Sequence, residues 1–158
     1  MDQMLFKQLE FIRNRTIDAV QGLSDEVLDV IPEGFNNNIR WNLGHVYYVQ
    51  ERFAFYFAGE PVQLPDHFEA LFPNGTKPAD WVVTPPTKDV LLQLLIEQSQ
   101  RIESVLTNRL EERVKEPYTT RNGLTLSTIQ EFLTYTLYHE GIHFNAINFL
   151  KRFANRVQ

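Results

Sequence analysis

The chain of 158 residues contains no cysteine, which excludes disulfides, thiolate metal ligands and a cysteine nucleophile. It has no run of about eighteen apolar residues, so no membrane-spanning helix is expected. Its formal net charge of −5 argues against a basic surface that would bind nucleic acid. The chain start is acidic at Asp2, where a secretory signal would be basic. We therefore expect a soluble, cytoplasmic protein without a membrane or nucleic-acid partner.

The composition is typical of a globular protein and favours one domain over residues 1–158. Apolar residues make up 43% of the chain and aromatic residues 13%, with 12 phenylalanines. A chain of this length can bury enough apolar surface to fold without disulfides. Because cysteine is absent, any bound metal must be held by histidine, aspartate, glutamate or water.

Four segments carry apolar residues at the spacings of three and four that are typical of amphipathic helices. The second segment is apolar nearly all round, which predicts a helix that is buried or pressed against another subunit. No segment convincingly predicts a strand, so the expected fold is an all-α four-helix bundle. The predicted helices run approximately over residues 5–23, 39–58, 88–110 and 128–153.

Polar residues mark the starts of three of these helices. Asn36–Asn38 supply N-cap candidates for the second, Thr87 caps the third, and Ser127–Gln130 forms a capping box for the fourth. The Glu116–Pro117 pair is expected to close the third helix. Between the second and third helices, residues 59–87 contain six of the eight prolines and no periodic pattern. Such a segment predicts a long crossover or a functional lid.

His139 and His143 are the most informative residues of the sequence. They lie four residues apart within the predicted fourth helix, so both imidazoles leave the same face one turn apart. Two imidazoles on one rigid helix can bind the same divalent ion. Two ligands make an incomplete site, so a third must come from elsewhere in the chain.

The remaining histidines are His45 and His67. His67 lies in the proline-rich segment and is interpreted as an exposed loop residue. His45 lies midway along the second helix, beside Gly44, which is costly in a helix interior and suggests close packing or access at this point. A buried histidine bonded to a backbone carbonyl is one interpretation of His45. Opposite the other pair across a bundle, it becomes the natural third ligand.

The segments Arg40–Val46 and Leu137–His143 together resemble the DinB-like (DinB/YfiT) superfamily of proposed metal-dependent enzymes. The resemblance covers essentially the whole chain, including its size and the long second crossover. It implies that His45, His139 and His143 coordinate one divalent ion, zinc or nickel, with water in the open positions.

The resemblance also bears on chemistry. Some relatives are thiol-dependent S-transferases or isomerases that use a low-molecular-weight thiol, whereas many others have no assigned reaction. One departure concerns Asn145–Ala146, where many members have Gly-Gln. This difference leaves the three ligands intact.

Two other metal chemistries share parts of the pattern. His139-Glu140-x-x-His143 matches zinc peptidases, but these need a third ligand downstream, and the fifteen residues after His143 include no Asp, Glu or His. Glu140-x-x-His143 matches half of a di-iron carboxylate site, whose second half is absent from the sequence. Glu140 is interpreted as a solvated or partner-facing carboxylate in preference to a catalytic base, because it points about 100° away from His139.

Several aromatic residues have two interpretations. Tyr48 and Tyr135 lie one helical turn from a metal ligand, but core packing is the expected role of both. Phe53, Phe55, Tyr56 and Phe57 either fill the core or form the surface of a homodimer. No residue other than the histidines is identified as functional, and the catalytic residues stay unknown.

Two functions follow from the sequence and the resemblance. The leading hypothesis is a divalent-metal-dependent enzyme that activates a small thiol, or a metal-bound water, against a small-molecule substrate. The alternative is a non-catalytic metal-binding stress or interaction protein, in which the ion only joins the second and fourth helices.

Overall fold

The computed structural model describes residues 3–154, and most of these residues are helical. The element bounds are α1 Gln3–Val20, α2 Asp25–Asp29, α3 Ile39–Glu51, α4 Phe68–Leu71, α5 Lys88–Leu106, β1 Arg113–Thr119, β2 Thr125–Thr128 and α6 Ile129–Ala154. A π-helical turn over Arg52–Tyr56 continues α3, and a short 3₁₀ turn lies at Pro78–Asp80. None of the described helices is long and apolar enough to cross a membrane.

The four long helices pack on one another. Helix α6 lies against both α1 and α3, and α5 lies against the same two helices. Two apolar clusters fill the interior. One lies around α3, α4 and α5 and includes Leu43, Phe68 and Phe72, while the other lies towards the strands and includes Phe55 and Phe132. Helix α6 contributes to both clusters, with Ile147 and Leu150 in the first and Phe132 and Leu133 in the second.

The expectation that the chain contains no strand was wrong, because β1 and β2 form an antiparallel hairpin. Helix α5 ends at Leu106, and the Glu116–Pro117 pair lies within β1 instead of closing a helix. Val114 is the one buried residue of β1, so the strand lacks the apolar alternation that would predict it. Pro117 cannot donate to the ladder, and it lies where the pairing register is irregular.

The predicted helix starts are confirmed at two positions and shifted by one residue at a third. Asn38 accepts a hydrogen bond from the Trp41 amide at 2.7 Å, and Thr87 accepts one from the Val90 amide at 3.4 Å. At α6 the capping box is Thr128 with Glu131, not Ser127 with Gln130. The Thr128 hydroxyl accepts from the Glu131 amide at 3.3 Å, and a Glu131 carboxylate oxygen accepts from the Thr128 amide at 3.1 Å.

The second predicted helix changes to a π-helical turn that ends at Tyr56. A turn then follows to Gly59, whose φ of +74° suits glycine. Three of the four aromatic residues in this stretch fill the core. Phe55 is buried, and the rings of Phe53 and Phe57 lie 5.5 Å and 4.5 Å from that of Phe132. Tyr56 alone of the four is largely exposed, at 58%.

Candidate metal centre

The structure brings His45, His139 and His143 together across the seam between α3 and α6. One ligand nitrogen from each ring lies within 4.8 Å of the other two. The Nε2 atoms of His45 and His139 are 3.3 Å apart. Two nitrogen ligands bound at about 2.0–2.1 Å in a tetrahedral site are separated by roughly this distance. The spatial convergence expected from the sequence is therefore present.

His45 is fixed by the proline-rich crossover. The carbonyl of Phe72 lies 2.6 Å from His45 Nδ1, and because a carbonyl can only accept, Nδ1 carries the proton. This leaves Nε2 with a free lone pair directed at the other two histidines. The indole of Trp41 stacks on the His45 ring, with centroids 4.5 Å apart and planes 11° from parallel, and donates to the Thr76 hydroxyl at 2.9 Å. The crossover thus holds both rings.

Gly44 makes this arrangement possible. A Cβ atom at residue 44 would lie closer than 3.0 Å to the ring of Phe72, a distance that real Cβ atoms essentially never show. The absence of a side chain lets Phe72 pack directly on α3, one residue from His45. This finding confirms that the mid-helix glycine serves close packing.

His143 is oriented by Asn42, one turn before His45 on α3. Its Nδ1 lies 2.8 Å from Asn42 Oδ1, while the Asn42 amide donates to the Asn38 carbonyl at 2.8 Å. The second bond fixes which way the amide points, so Oδ1 accepts from His143 and Nε2 of that ring is free to bind an ion. Asn42 was not among the residues predicted from the sequence to be functional. Its spacing of three from His45 was the available signal, because residues so spaced share a helix face.

The surroundings keep the imidazoles neutral. Burial lowers the pKa of His45, which is 4% exposed. Burial, followed by the neighbouring His143 and His45, lowers the pKa of His139 to about 2. Burial and then His45 lower the pKa of His143 to about 3. Neutral imidazole is the form that binds metal ions.

Glu140 is not solvated or partner-facing, contrary to expectation. It is 1% exposed and pairs with the buried Arg13, at 2.9 Å for Nε to Oε1 and 3.1 Å for Nη2 to Oε2. Arg13 also donates to the Leu95 carbonyl at 2.6 Å and to Gln98 at 3.2 Å. Since both carboxylate oxygens accept from one guanidinium, the geometry favours a structural role for Glu140 over that of a base.

The other residues considered from the sequence lie outside the cluster. Tyr135 is half-buried, with its ring 5.5 Å from that of Phe53, and Tyr48 packs against the apolar cluster around α3. Both therefore take part in packing, as expected. His67 is exposed in the crossover, which confirms its interpretation as a loop residue.

The donor set suits a divalent ion that accepts nitrogen ligands. Among residues 3–154, the cluster that could hold an ion comprises the three histidines and includes no carboxylate. Imidazole is a common ligand of zinc and of nickel, whereas calcium and magnesium prefer oxygen. Two of the three rings have a hydrogen-bond acceptor on the nitrogen that faces away from the cluster, as metal-binding histidines usually do.

The chain belongs to the DinB superfamily, whose family model matches residues 8–147. It is also similar to a solved structure described as the conserved protein of locus from Enterococcus faecalis. That similarity has a TM-score of 0.70 at 15% sequence identity and covers 98% of this chain and 96% of the other, which relates the two folds. No curated protein matches the chain.

Proposed function

We propose that this protein is a divalent-metal-dependent enzyme built on a four-helix bundle. Its leading activity is the activation of a low-molecular-weight thiol for attack on an electrophilic small molecule. The observation that carries the proposal is the convergence of His45, His139 and His143 from two helices, with the Nε2 atoms of the first two 3.3 Å apart. The thiol chemistry comes from the family resemblance and from the character of the donor set.

The residues of the site have distinct roles in this proposal. His45, His139 and His143 hold one zinc or nickel ion as neutral ligands. The carbonyl of Phe72 and the side chain of Asn42 orient two of these rings. Because three protein ligands are fewer than zinc or nickel takes, positions remain for a thiol or a water molecule. A divalent ion held by neutral ligands supplies Lewis acidity, which lowers the pKa of a thiol or of water and makes it nucleophilic near neutral pH.

The proposed reaction is a substitution at carbon. The sulfur of the thiol forms a bond to the electrophilic carbon, the bond from that carbon to its leaving group breaks, and the thiol proton passes to the solvent. No oxidant or reductant is needed. The organic substrate itself is a small molecule, which the chain would bind beside the three histidines.

The test uses glutathione as the thiol and 1-chloro-2,4-dinitrobenzene as the electrophile. Free thiol and released chloride are measured with the protein alone, with added zinc or nickel, and with a His45→Ala variant under the same conditions. We expect a metal-dependent rate that the variant lacks. If the metal-loaded protein gives no rate above that of the free metal with this pair or with a panel of other thiols, the thiol activity is rejected.

One observation favours the alternative in which the ion is structural. The site joins α3 to α6, and His45 is almost completely buried, so an ion there would fasten two long helices together. In that case zinc or nickel would raise the thermal stability strongly, and no thiol or water chemistry would accompany it. Metal-dependent unfolding measured together with the thiol assay separates the two functions.

A further inference from the structure

A groove of about 850 Å³ lies between the β-hairpin and the first turns of α6. Thr120, Leu124 and Leu126 line it from the hairpin, and Thr134 and Tyr138 line it from α6. None of the three histidines contributes to its walls. The groove and the candidate metal centre therefore have no residue in common, although both include residues of helix α6.

The groove and the candidate metal centre both use residues of helix α6. Two of its lining residues are Tyr135 and Tyr138, which lie four residues and one residue before His139 on α6. Tyr135 and His139 share a helix face one turn apart, about 6 Å between side-chain origins. A small molecule that contacts Tyr135 in the groove would therefore lie about one helical turn from His139.

The charged side chains that line the groove are all acidic. The groove is lined by two carboxylates, Glu111 and Glu131, and by no lysine, arginine or histidine. Apolar surface comes from the exposed Leu124 and from the ring of Tyr138, which is 62% exposed and lies 5.9 Å from the ring of Tyr135. Aromatic faces and carboxylates attract ammonium groups, and both repel carboxylates and phosphates.

We propose that this groove binds the body of the organic substrate, and that the substrate is a small aromatic or aliphatic molecule that carries an amine. The ring of Tyr138 contacts the apolar body, and Glu111 and Glu131 face the ammonium group. Its link to catalysis rests on the proposed function. Binding to the groove, however, can be measured without metal, so the two can fail separately.

Three probes with the same phenyl body test the inference: 2-phenylethylamine, 2-phenylethanol and 3-phenylpropionate, which are cationic, neutral and anionic at neutral pH. Each is titrated into the full ¹⁵N-labelled chain in the presence of a chelator, and amide shifts give the site and the dissociation constant. We expect shifts confined to the neighbourhood of residue 111 and to residues 120–138. We expect the amine to bind on the order of fivefold more tightly than the carboxylate, since two exposed carboxylates discriminate only modestly.

Matched variants locate the effect. Tyr138→Ala should weaken binding of all three probes, whereas Tyr56→Ala, which removes another exposed tyrosine outside the groove, should not. Glu111→Gln should reduce the preference for the amine by about twofold, whereas Glu69→Gln on α4 should leave it unchanged. The inference is overturned if no probe binds, if the carboxylate binds as tightly as the amine, or if the shifts map elsewhere. The thiol assay on chelator-free, metal-loaded protein from the same preparations shows whether the proposed function stands regardless.

Discussion

The ring of Phe72 occupies the space that a side chain at Gly44 would need. Glycine at this position lets the crossover approach α3 so closely that the Phe72 carbonyl binds His45. The orientation of His45 therefore depends on the absence of a side chain at Gly44.

Replacing Gly44 by alanine should weaken metal binding although Gly44 is not itself a ligand. Gly44→Ala forces the Phe72 ring away from α3, which lowers the free energy of unfolding by about 1–3 kcal/mol. The better helix propensity of alanine only partly offsets this loss. We expect the affinity for zinc to fall on the order of tenfold, because the carbonyl that orients His45 moves. Gly141→Ala is the matched control. A Cβ there meets nothing within 4 Å, so this variant should be slightly stabilised and should keep its affinity. Equal effects of the two substitutions would contradict the argument.

Asn42 should control the affinity of the site through His143. In Asn42→Leu the His143 Nδ1 loses its acceptor, and we expect zinc affinity to fall roughly tenfold to a hundredfold in a competition with a chromophoric chelator. Asn42→Asp retains an oxygen acceptor and should recover most of the affinity. A leucine variant that binds zinc as tightly as the natural chain would remove Asn42 from the site.

His45 should be required for stoichiometric metal uptake. We expect His45→Ala to lose the tightly bound ion, because two ligands on one helix form an incomplete site. The measurement is elemental analysis of protein dialysed against zinc or nickel. His67→Ala serves as the control, since this exposed histidine lies outside the cluster. Retention of one tightly bound ion per chain in the His45 variant would show that the site does not need α3.

The metal-free protein should lose stability as the pH falls below about 6.5. Burial depresses the pKa of each of the three histidines in the fold, to about 2 for His139 and about 3 for His143. Below the unfolded pKa of about 6.5, the unfolded chain binds protons that the folded chain does not, so the free energy of unfolding decreases. The slope is at most roughly 1.4 kcal/mol per pH unit for each histidine.

The comparison that isolates this effect is a variant with all three histidines replaced by glutamine, measured by urea unfolding between pH 7 and pH 4. Other titrating groups contribute alike to both proteins. The difference in stability should therefore change steadily with pH in favour of the variant at low pH. A constant difference would show that the histidines are protonated in the fold.

Arg13 and Glu140 should be strongly coupled. Arg13→Met leaves the buried Glu140 carboxylate without its partner, which should cost about 3–5 kcal/mol of unfolding free energy. Adding Glu140→Leu removes the unpaired charge and should restore much of that loss. Chemical denaturation of the single and double variants measures the coupling. Additive losses would mean that the two side chains do not depend on each other.

Much of the fold is local in origin, and this is why the sequence predicts it. The long helices follow from apolar spacing, and the starts at Asn38 and Thr87 follow from side chains that accept from an amide three residues on. The hairpin was not predicted because β1 has one buried residue and therefore no apolar alternation, and because it contains Pro117, which is unusual within a strand. The π-helical turn after α3 leaves no composition signal that distinguishes it from an ordinary helix.

The candidate site also has parts that the sequence predicts and parts that it does not. The spacing of His139 and His143 is visible in the sequence, and the resemblance supplies His45. Neither indicates that the burial of Glu140 depends on Arg13, a residue 127 positions away in the chain. Such a pairing is set by how α1 lies against α6, which periodicity alone does not determine.

The hydrogen bond from His45 to the Phe72 carbonyl limits which insertions and deletions the chain can accept. The proline-rich crossover supplies a wall of the ion-binding site, so its length and path are tied to the position of an imidazole. Inserting or deleting residues between 60 and 72 would shift that carbonyl, whereas the Arg121–Gly123 tip of the hairpin is under no such restraint. Loop grafting that must preserve metal binding should therefore begin at the hairpin tip and leave the crossover intact.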